Sequence, residues 1–255
     1  MPNLAVESLS LSHFRSHHVV QIECDPRPVA IYGANGAGKT NILEAVSLLS
    51  PGRGVRRSSA EEMTRRPEAL GWKISAVLRK RDRLHEIDTW SQNGAARQLR
   101  IDGKTATQVM LGRVARVLWL IPAMDRIWIE GAEGRRRFLD RMTLSFDPNH
   151  GEQVLLYEKA MRERNRLLKE RVADAHWYRA IEGQMAATGV KIRKARKEAL
   201  AYIHAAQDQA ETAFPTAQLT LTNSENIDFS DNSDDLAQLL ADYRSRDLAA
   251  GRSLA

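Results

Sequence analysis

The first third of the chain is written in alternation. "LAVESLSLSHF", "VVQIEC", "PVAIYG", "WKISAVLRK", "RLHEIDTW" and "RQLRIDGK" are short runs rich in Val, Ile, Leu or Trp, bounded by Pro, Gly or Asp. Most keep an apolar residue at every second position, which predicts strands with one face out of water. The last run ends on Asp102-Gly103, a dipeptide that tolerates the positive φ of a tight hairpin. "VARVLWLIP" reads as one more, fully buried strand. Beyond residue 130 the period lengthens to that of a helix. Ala132 to Ser145 is predicted helical, "DPNHG" breaks the pattern, and a second helix is predicted from Glu152 to Val172. In a third, Tyr178, Ile181, Met185, Ile192, Ala195, Ala199, Ile203 and Ala206 hold an apolar seam, giving about 30 residues and roughly 45 Å of helix. Gly183 and Gly189 weaken it by about 1 kcal/mol each relative to alanine. Two long helices with a short connection predict an antiparallel hairpin, as an extended arm or a compact helical subdomain. After Pro215, "AQLTLT" is strand-like, and "DDLAQLLADYRSRDLAAG" predicts a helix opened by Ser233 and ended by Gly251.

One junction in this pattern carries chemistry. "PVAIYG" runs into a glycine-rich loop, and Ile42, Leu43, Val46 and Leu49 then recur at helical spacing. Between them, Gly33, Ala34, Asn35, Gly36, Ala37, Gly38, Lys39 and Thr40 fit G-x-x-x-x-G-K-[ST] in full. Glycines let such a loop bend until its backbone N–H groups converge on phosphate oxygens, and the helix start adds partial positive charge. Lys39 is expected to reach the β- and γ-phosphates and the Thr40 hydroxyl to ligate Mg²⁺. These eight residues are the candidate nucleotide site, with ATP and Mg²⁺ as cofactors.

Composition narrows the setting. At 255 residues and 43% hydrophobic content the chain supports a real core. No run approaches the roughly 18 apolar residues of a membrane span, and the first residues lack the pattern of a signal peptide, so a cytoplasmic protein without membrane association is expected. The lone Cys24 lies in an apolar run and is expected to be a buried small hydrophobe. The net charge of +6 is uneven: residues 1–150 carry 23 Lys+Arg against 16 Asp+Glu, 151–197 carry 12 against 6, and 198–255 carry 3 against 10. A basic body suggests a polyanionic partner, with solvated surface as the plainer account. The seven histidines, His17 and His18 among them, show no metal-ligand spacing.

Within the loop, "NGAGKTN" is more selective than the general pattern and resembles the ATPase heads of the SMC and RecF group. The likeness to the RecF family extends through "SLSHFRSH", "LLSPGRGVRRSS", "IEGAEGRRRFLDRMTLSFDPNH", "YEKAMRERNRLLKER" and "GVKIRKARKEAL". It implies an α/β fold, an ABC/SMC-type P-loop ATPase head with a mixed sheet and an inserted helical arm or helical-hairpin subdomain. The expected division is 1–121 head, 122–213 helical arm and 214–255 a segment returning towards the head. Ser16 and Gly54 depart from the family's usual asparagine and serine, and Ala123 and Met124 stand in a segment that commonly carries an acidic residue. The family continues into a G-P-H-R-x-D segment, a signature helix and a Walker B strand ending in acidic residues. None of these can be read here, since Pro122 follows Leu118 to Ile121 where the aspartate would stand. The sequence is therefore expected to be C-terminally truncated and inactive alone, with catalytic carboxylates unknown.

The resemblance further implies an ATP-dependent homodimer that clamps DNA at gaps and single-strand/double-strand junctions. Such a clamp would act with RecR in RecA loading and the SOS response, with slow DNA-linked ATP hydrolysis. Arg15 is a candidate phosphate or ribose contact. Arg53, Arg56 and Arg57, and Lys191, Arg193, Lys194 and Lys197 in "KIRKARK", are candidate DNA contacts, the alternative being solvated surface. Asp140 is expected to pair with Arg136 or Arg137 along its own helix. A P-loop small-molecule kinase with a helical lid is the competing reading. The long helical seam, the loop context and the basic excess favour the clamp.

Overall fold

The computed structural model describes residues 4–66, 68–129, 131–222 and 231–253. The chain divides into two compact units, Met1–Arg126 and Ile127–Ala255. The boundary lies a few residues past the expected 121/122, and the closing segment expected to return to the head clusters with the helical unit.

The first unit is built on a six-stranded sheet in the order β2-β1-β3-β4-β5-β6. Its strands are β1 (Leu4–Phe14), β2 (His17–Glu23), β3 (Trp72–Lys80), β4 (Arg83–Ser91), β5 (Gln98–Ile101) and β6 (Lys104–Thr105). Among the described strands every pairing is antiparallel, where a mixed sheet was the expectation. Alternation does what the sequence implies: Trp72, Ile74, Ala76 and Leu78 of β3 are all buried while the residues between them are more open. In β1 the core positions change parity, from Leu4 and Val6 to Leu9 and Leu11. The register against β3 slips by one between Val6 and Ser8, and this bulge keeps both halves of the strand facing the core. Asp102 and Gly103 both have positive φ and close the β5–β6 hairpin.

Helix α1 (Lys39–Ser47) lies against this sheet through Ala45, the residues just after it add Leu48 and Leu49, and α2 (Ala60–Met63) and α3 (Gln108–Val114) add Met63 and Leu111 to the same core. The single turn of α2 is held by a reciprocal capping box between Ser59 and Glu62.

Two expected strands are absent. Residues 28–33 and 115–121 form no strand and pair with none of the described ones. An apolar run becomes a strand only where a neighbour completes its hydrogen-bond ladder. Here Val29, Tyr32, Leu118 and Leu120 stand exposed instead. Cys24 is half-buried rather than in the core.

The helical unit contains α4 (Ala132–Phe146), α5 (His150–Lys169), α6 (Ala175–Asp208), α7 (Ser233–Asp242) and α8 (Arg244–Ala250). Helices α5 and α6 form the expected hairpin, and α4 and α7 pack on α6, making a compact subdomain. At 34 residues α6 slightly exceeds its expected length. Gly189 tolerates no easy Cβ, which would meet Leu236 at 3.3 Å and Tyr157 at 3.4 Å, so this glycine admits both neighbours. The last predicted helix is two, broken at Tyr243, and its cap is Asn232 rather than Ser233. Residues 217–222 are not a strand, and side chains of α6 take up part of that backbone: Gln207 exchanges two bonds with Ala217, and Leu219 N–H donates to His204. Asp140 does not pair within its helix either. It accepts Arg196 Nε and Nη2 at 2.8 and 2.9 Å and buried His150 Nε2 at 2.8 Å, while Arg137 turns to Glu133. A cross-helix partner wins here because a bidentate guanidinium outweighs a solvated pair on one helix face.

The centre of this unit is ionic. Arg164, fully buried, donates Nε to Glu182 at 3.1 Å, Nη1 to Asp247 at 2.6 Å and to Ser253 at 2.7 Å, and Nη2 to the Leu240 carbonyl at 2.9 Å. Arg244 completes the charge balance on Glu182 while lying over the Tyr178 ring at 4.8 Å. Removing one member strands the others without water. Arg164→Ala is expected to lower unfolding free energy by about 3–5 kcal/mol, read as a drop in the urea midpoint. A change below 1 kcal/mol would mean that water reaches the network.

Candidate nucleotide-binding site

The glycine loop occupies 33–38 and delivers the chain into α1. Gly38 is the residue preceding the helix, left-handed at φ 90°, and no side chain caps the N–H groups after it. An α-helix leaves its first four N–H groups without internal partners. Among the described residues, the amides of Gly36, Gly38, Lys39 and Thr40 donate to no protein acceptor, whereas Ala37 N–H reaches the Ala34 carbonyl at 3.3 Å. Gly33 and Gly36, with φ of 147° and 84°, have open space where a Cβ would lie. Lys39 Nζ donates to the carbonyls of Gly33 at 2.8 Å and Ala34 at 2.7 Å. The ammonium thus stays inside the loop, where stronger anionic acceptors could replace two neutral ones. Free amides, an uncapped helix start and a held lysine fit a polyphosphate. The exposed Thr40 hydroxyl is the loop's candidate Mg²⁺ ligand, and the described residues contain no cluster of His, Cys, Asp and Glu able to hold a metal by themselves.

The β1–β2 turn supports the loop in a way the sequence did not disclose. His17 Nε2 donates to the Gly38 carbonyl at 3.2 Å, and Asn41 Nδ2 donates to Ser16 Oγ at 2.8 Å. A Cβ on Gly38 would come within 2.5 Å of the His17 ring and 2.9 Å of Ser16 Oγ. The adjacent pair His17-His18 is the signal the sequence offers for this support, and it carries no metal-ligand spacing.

Arg15 is placed differently from a free phosphate ligand. Its Nε and Nη2 grip Glu44 at 2.9 and 2.6 Å, Nη2 also meets Ser58 Oγ, and Nη1 reaches the Glu62 carbonyl at 2.6 Å. Glu44, on the second turn of α1, is only 1% exposed and takes a further bond from Arg56 at 3.0 Å. Arg56 also donates to Asn41 Oδ1 at 2.9 Å. Arg15 and Arg56 are therefore engaged in holding α1. Arg53 and Arg57 are exposed, and Arg57 sits at a φ of 56°. In the helical unit, Arg193 and Lys197 pair with Asp231, while Lys191 and Lys194 are exposed.

Sheet, loop and following helix are those of a P-loop ATPase head. An AAA domain family model matches residues 8–244. The DNA replication and repair protein RecF of Rhizobium johnstonii is 43% identical over 265 residues, covering 100% of this chain and 71% of the relative. RecF of Brucella suis is 40% identical over 264 residues, with 98% and 68% covered. The solved structure of the recombination mediator protein RecF with ATPrS in the RecFOR pathway superposes with a TM-score of 0.85 at 22% identity, over 99% of this chain and 71% of that one. The chain belongs to the RecF family of DNA repair proteins.

The contact at Gly38 yields a test of the loop's construction. Gly38→Ala places a side chain at positive φ and against His17, with an expected loss of about 1–3 kcal/mol in thermal or urea unfolding. Adding His17→Gly should recover part of the loss, because it removes the collision and leaves the backbone strain. No recovery would show that the His17 contact is incidental.

Proposed function

We propose that this chain supplies the nucleotide-binding head of an ATP-dependent DNA clamp used in recombinational repair. The carrying observation is the uncapped start of α1, with four amides free of protein acceptors beside the Lys39 ammonium. RecF has been solved with ATP as well as with ATPrS, which supports the same ligand here. Gly33 to Thr40 would hold the phosphates, Lys39 adding charge and Thr40 one oxygen ligand to Mg²⁺. The metal would neutralise phosphate charge when bound. Arg15 acts through Glu44, fixing α1, rather than on the phosphate itself.

The DNA would be held electrostatically, at gaps and single-strand/double-strand junctions, by an ATP-dependent pair of heads acting with RecR to load RecA during the SOS response. Arg53 and Arg57 are the better contacts of the 53–57 segment, since Arg56 is tied to Glu44. Lys191 and Lys194 are the better pair in the helical unit, since Arg193 and Lys197 already face Asp231. No membrane role is invoked: among the described residues no helix is long and apolar enough to cross one.

Lys39→Ala is expected to weaken a fluorescent ATP analogue about 10–100-fold, the loss of a charge-assisted contact, with an unchanged circular dichroism spectrum. Unchanged affinity would remove the assignment of the loop. In DNA binding, Arg53→Ala with Arg57→Ala should lower affinity alike for different sequences and flatten the slope of log K against log salt by about 1.8. Parental affinity and slope would return both residues to ordinary surface.

A further inference from the structure

The β3–β4 hairpin reads "LRKRDRL", a dense basic run that contains none of the candidate contacts named so far. Alternation sorts its cations. Arg79 faces away from the core and pairs with Glu7 of β1, whereas Lys80 and Arg83 stand directly opposite each other at the mouth of the hairpin and share the other face. Arg81 occupies the turn at a φ of 54° and is exposed.

Helix α3 brings two more. Lys80 Nζ donates to the Arg113 carbonyl in the last turn of that helix, and Arg116 follows just beyond its end. Burial, and then the charges of Arg116 and Arg81, hold the Lys80 ammonium below its ordinary pKa, so these cations crowd one another. Among the described residues no carboxylate pairs with Lys80, Arg81, Arg83, Arg113 or Arg116, and Asp82 in the turn is exposed and pairs with none of them. Elsewhere in this chain arginines are drawn into internal pairs. Clustered surface cations left without anions are the footprint of a polyanionic partner.

The cluster is also continuous with the 53–57 segment. Gly112 of α3 lies against the Pro51 ring, which a Cβ there would meet at 2.9 Å, and Gln108 of the same helix accepts the Gly52 N–H at 2.8 Å. Arg113 and Arg53 thus adjoin one packed junction, each on its own stretch of chain.

We propose that Lys80, Arg81, Arg83, Arg113 and Arg116 bind the phosphate backbone of duplex DNA, continuing the surface that Arg53 begins. None of the five is aromatic, and none has an amide side chain, so they track phosphates without stacking on bases or reading them. This role rests on the chain being a DNA-binding head, and the variants that test it leave Arg53 and Arg57 in place.

Binding of the full chain to a labelled random-sequence duplex is followed by anisotropy over a salt series. One variant combines Arg81→Asn with Arg83→Gln, asparagine being tolerant of positive φ, and another combines Arg113→Gln with Arg116→Gln. Arg162→Gln with Arg166→Gln, exposed arginines of α5 that already face Glu158, Glu163 and Glu170, controls for the same change in net charge. Each hairpin or α3 variant should bind about tenfold more weakly at low salt and flatten the slope of log K against log salt by about 1.8, the value for two phosphate contacts. Neither should lower the melting temperature, and the control should keep parental affinity. Parental binding by either variant overturns the five-residue surface, as does an equal loss in the control. Binding to phosphatidylserine vesicles that both variants lose, with duplex binding kept, would assign the surface to a membrane instead. A parent chain that does not bind the duplex takes down the DNA reading and this surface together. Parental behaviour of the variants of a chain that does bind removes this surface alone.

Discussion

The head is organised around one carboxylate that has been taken out of water. Glu44 sits on the helix that carries the phosphate loop, among residues that are otherwise apolar, and a lone buried charge there would be costly. Arg15 arrives from the end of β1 and Arg56 from the loop after α1, so satisfying Glu44 fixes three stretches of chain at once. Arg15 then extends the tie to Ser58 and Glu62, and Arg56 to Asn41 on the first turn of α1. The position of the glycine loop depends on this internal electrostatic arrangement as much as on the glycines.

The same economy runs through the rest of the chain. Much of the basic excess is consumed internally, by Arg164 and Arg244 at the centre of the helical unit, by Arg196 on Asp140, and by Arg193 and Lys197 on Asp231. The gross count of Lys and Arg therefore overstates the cationic surface available to a polyanion. Among the cations that remain outside such pairs are Arg53, Arg57, Lys191 and Lys194 on the exposed surface, while Arg97 is held by neutral partners within.

Much of the fold was legible because local patterns and tertiary burial agree. Strands β3 and β4 alternate cleanly, Asp102-Gly103 closes its hairpin, and the α6 seam is apolar at nearly every expected turn. Reading failed where the deciding partner is remote in sequence. "PVAIYG" and "VARVLWLIP" have strand composition but no ladder among the described strands, and composition cannot supply one. Asp140 has arginines one turn away, yet its partner is Arg196, 56 residues on. In the site, the glycine motif locates the loop, while the supporting roles of Ser16, His17 and Glu44 depend on the β1–β2 turn packing against α1, which no local pattern encodes. Glu44 did leave a trace: an acidic residue in the apolar run "ILEAVSLL" implies a cation brought to it from elsewhere.

The arginine at the centre of the helical unit also sets an order of events during synthesis. Asp247 lies 83 residues after Arg164 and Ser253 lies 89 after it. At about 5–20 residues per second a ribosome needs roughly 4–17 s to make that intervening chain. Until Leu240 and then Asp247 are made, α5 can form and meet α6, but Glu182 is the one member of the eventual network available to the guanidinium. The nascent hairpin must therefore keep this core position hydrated, or shielded by another molecule, until α8 emerges to close it.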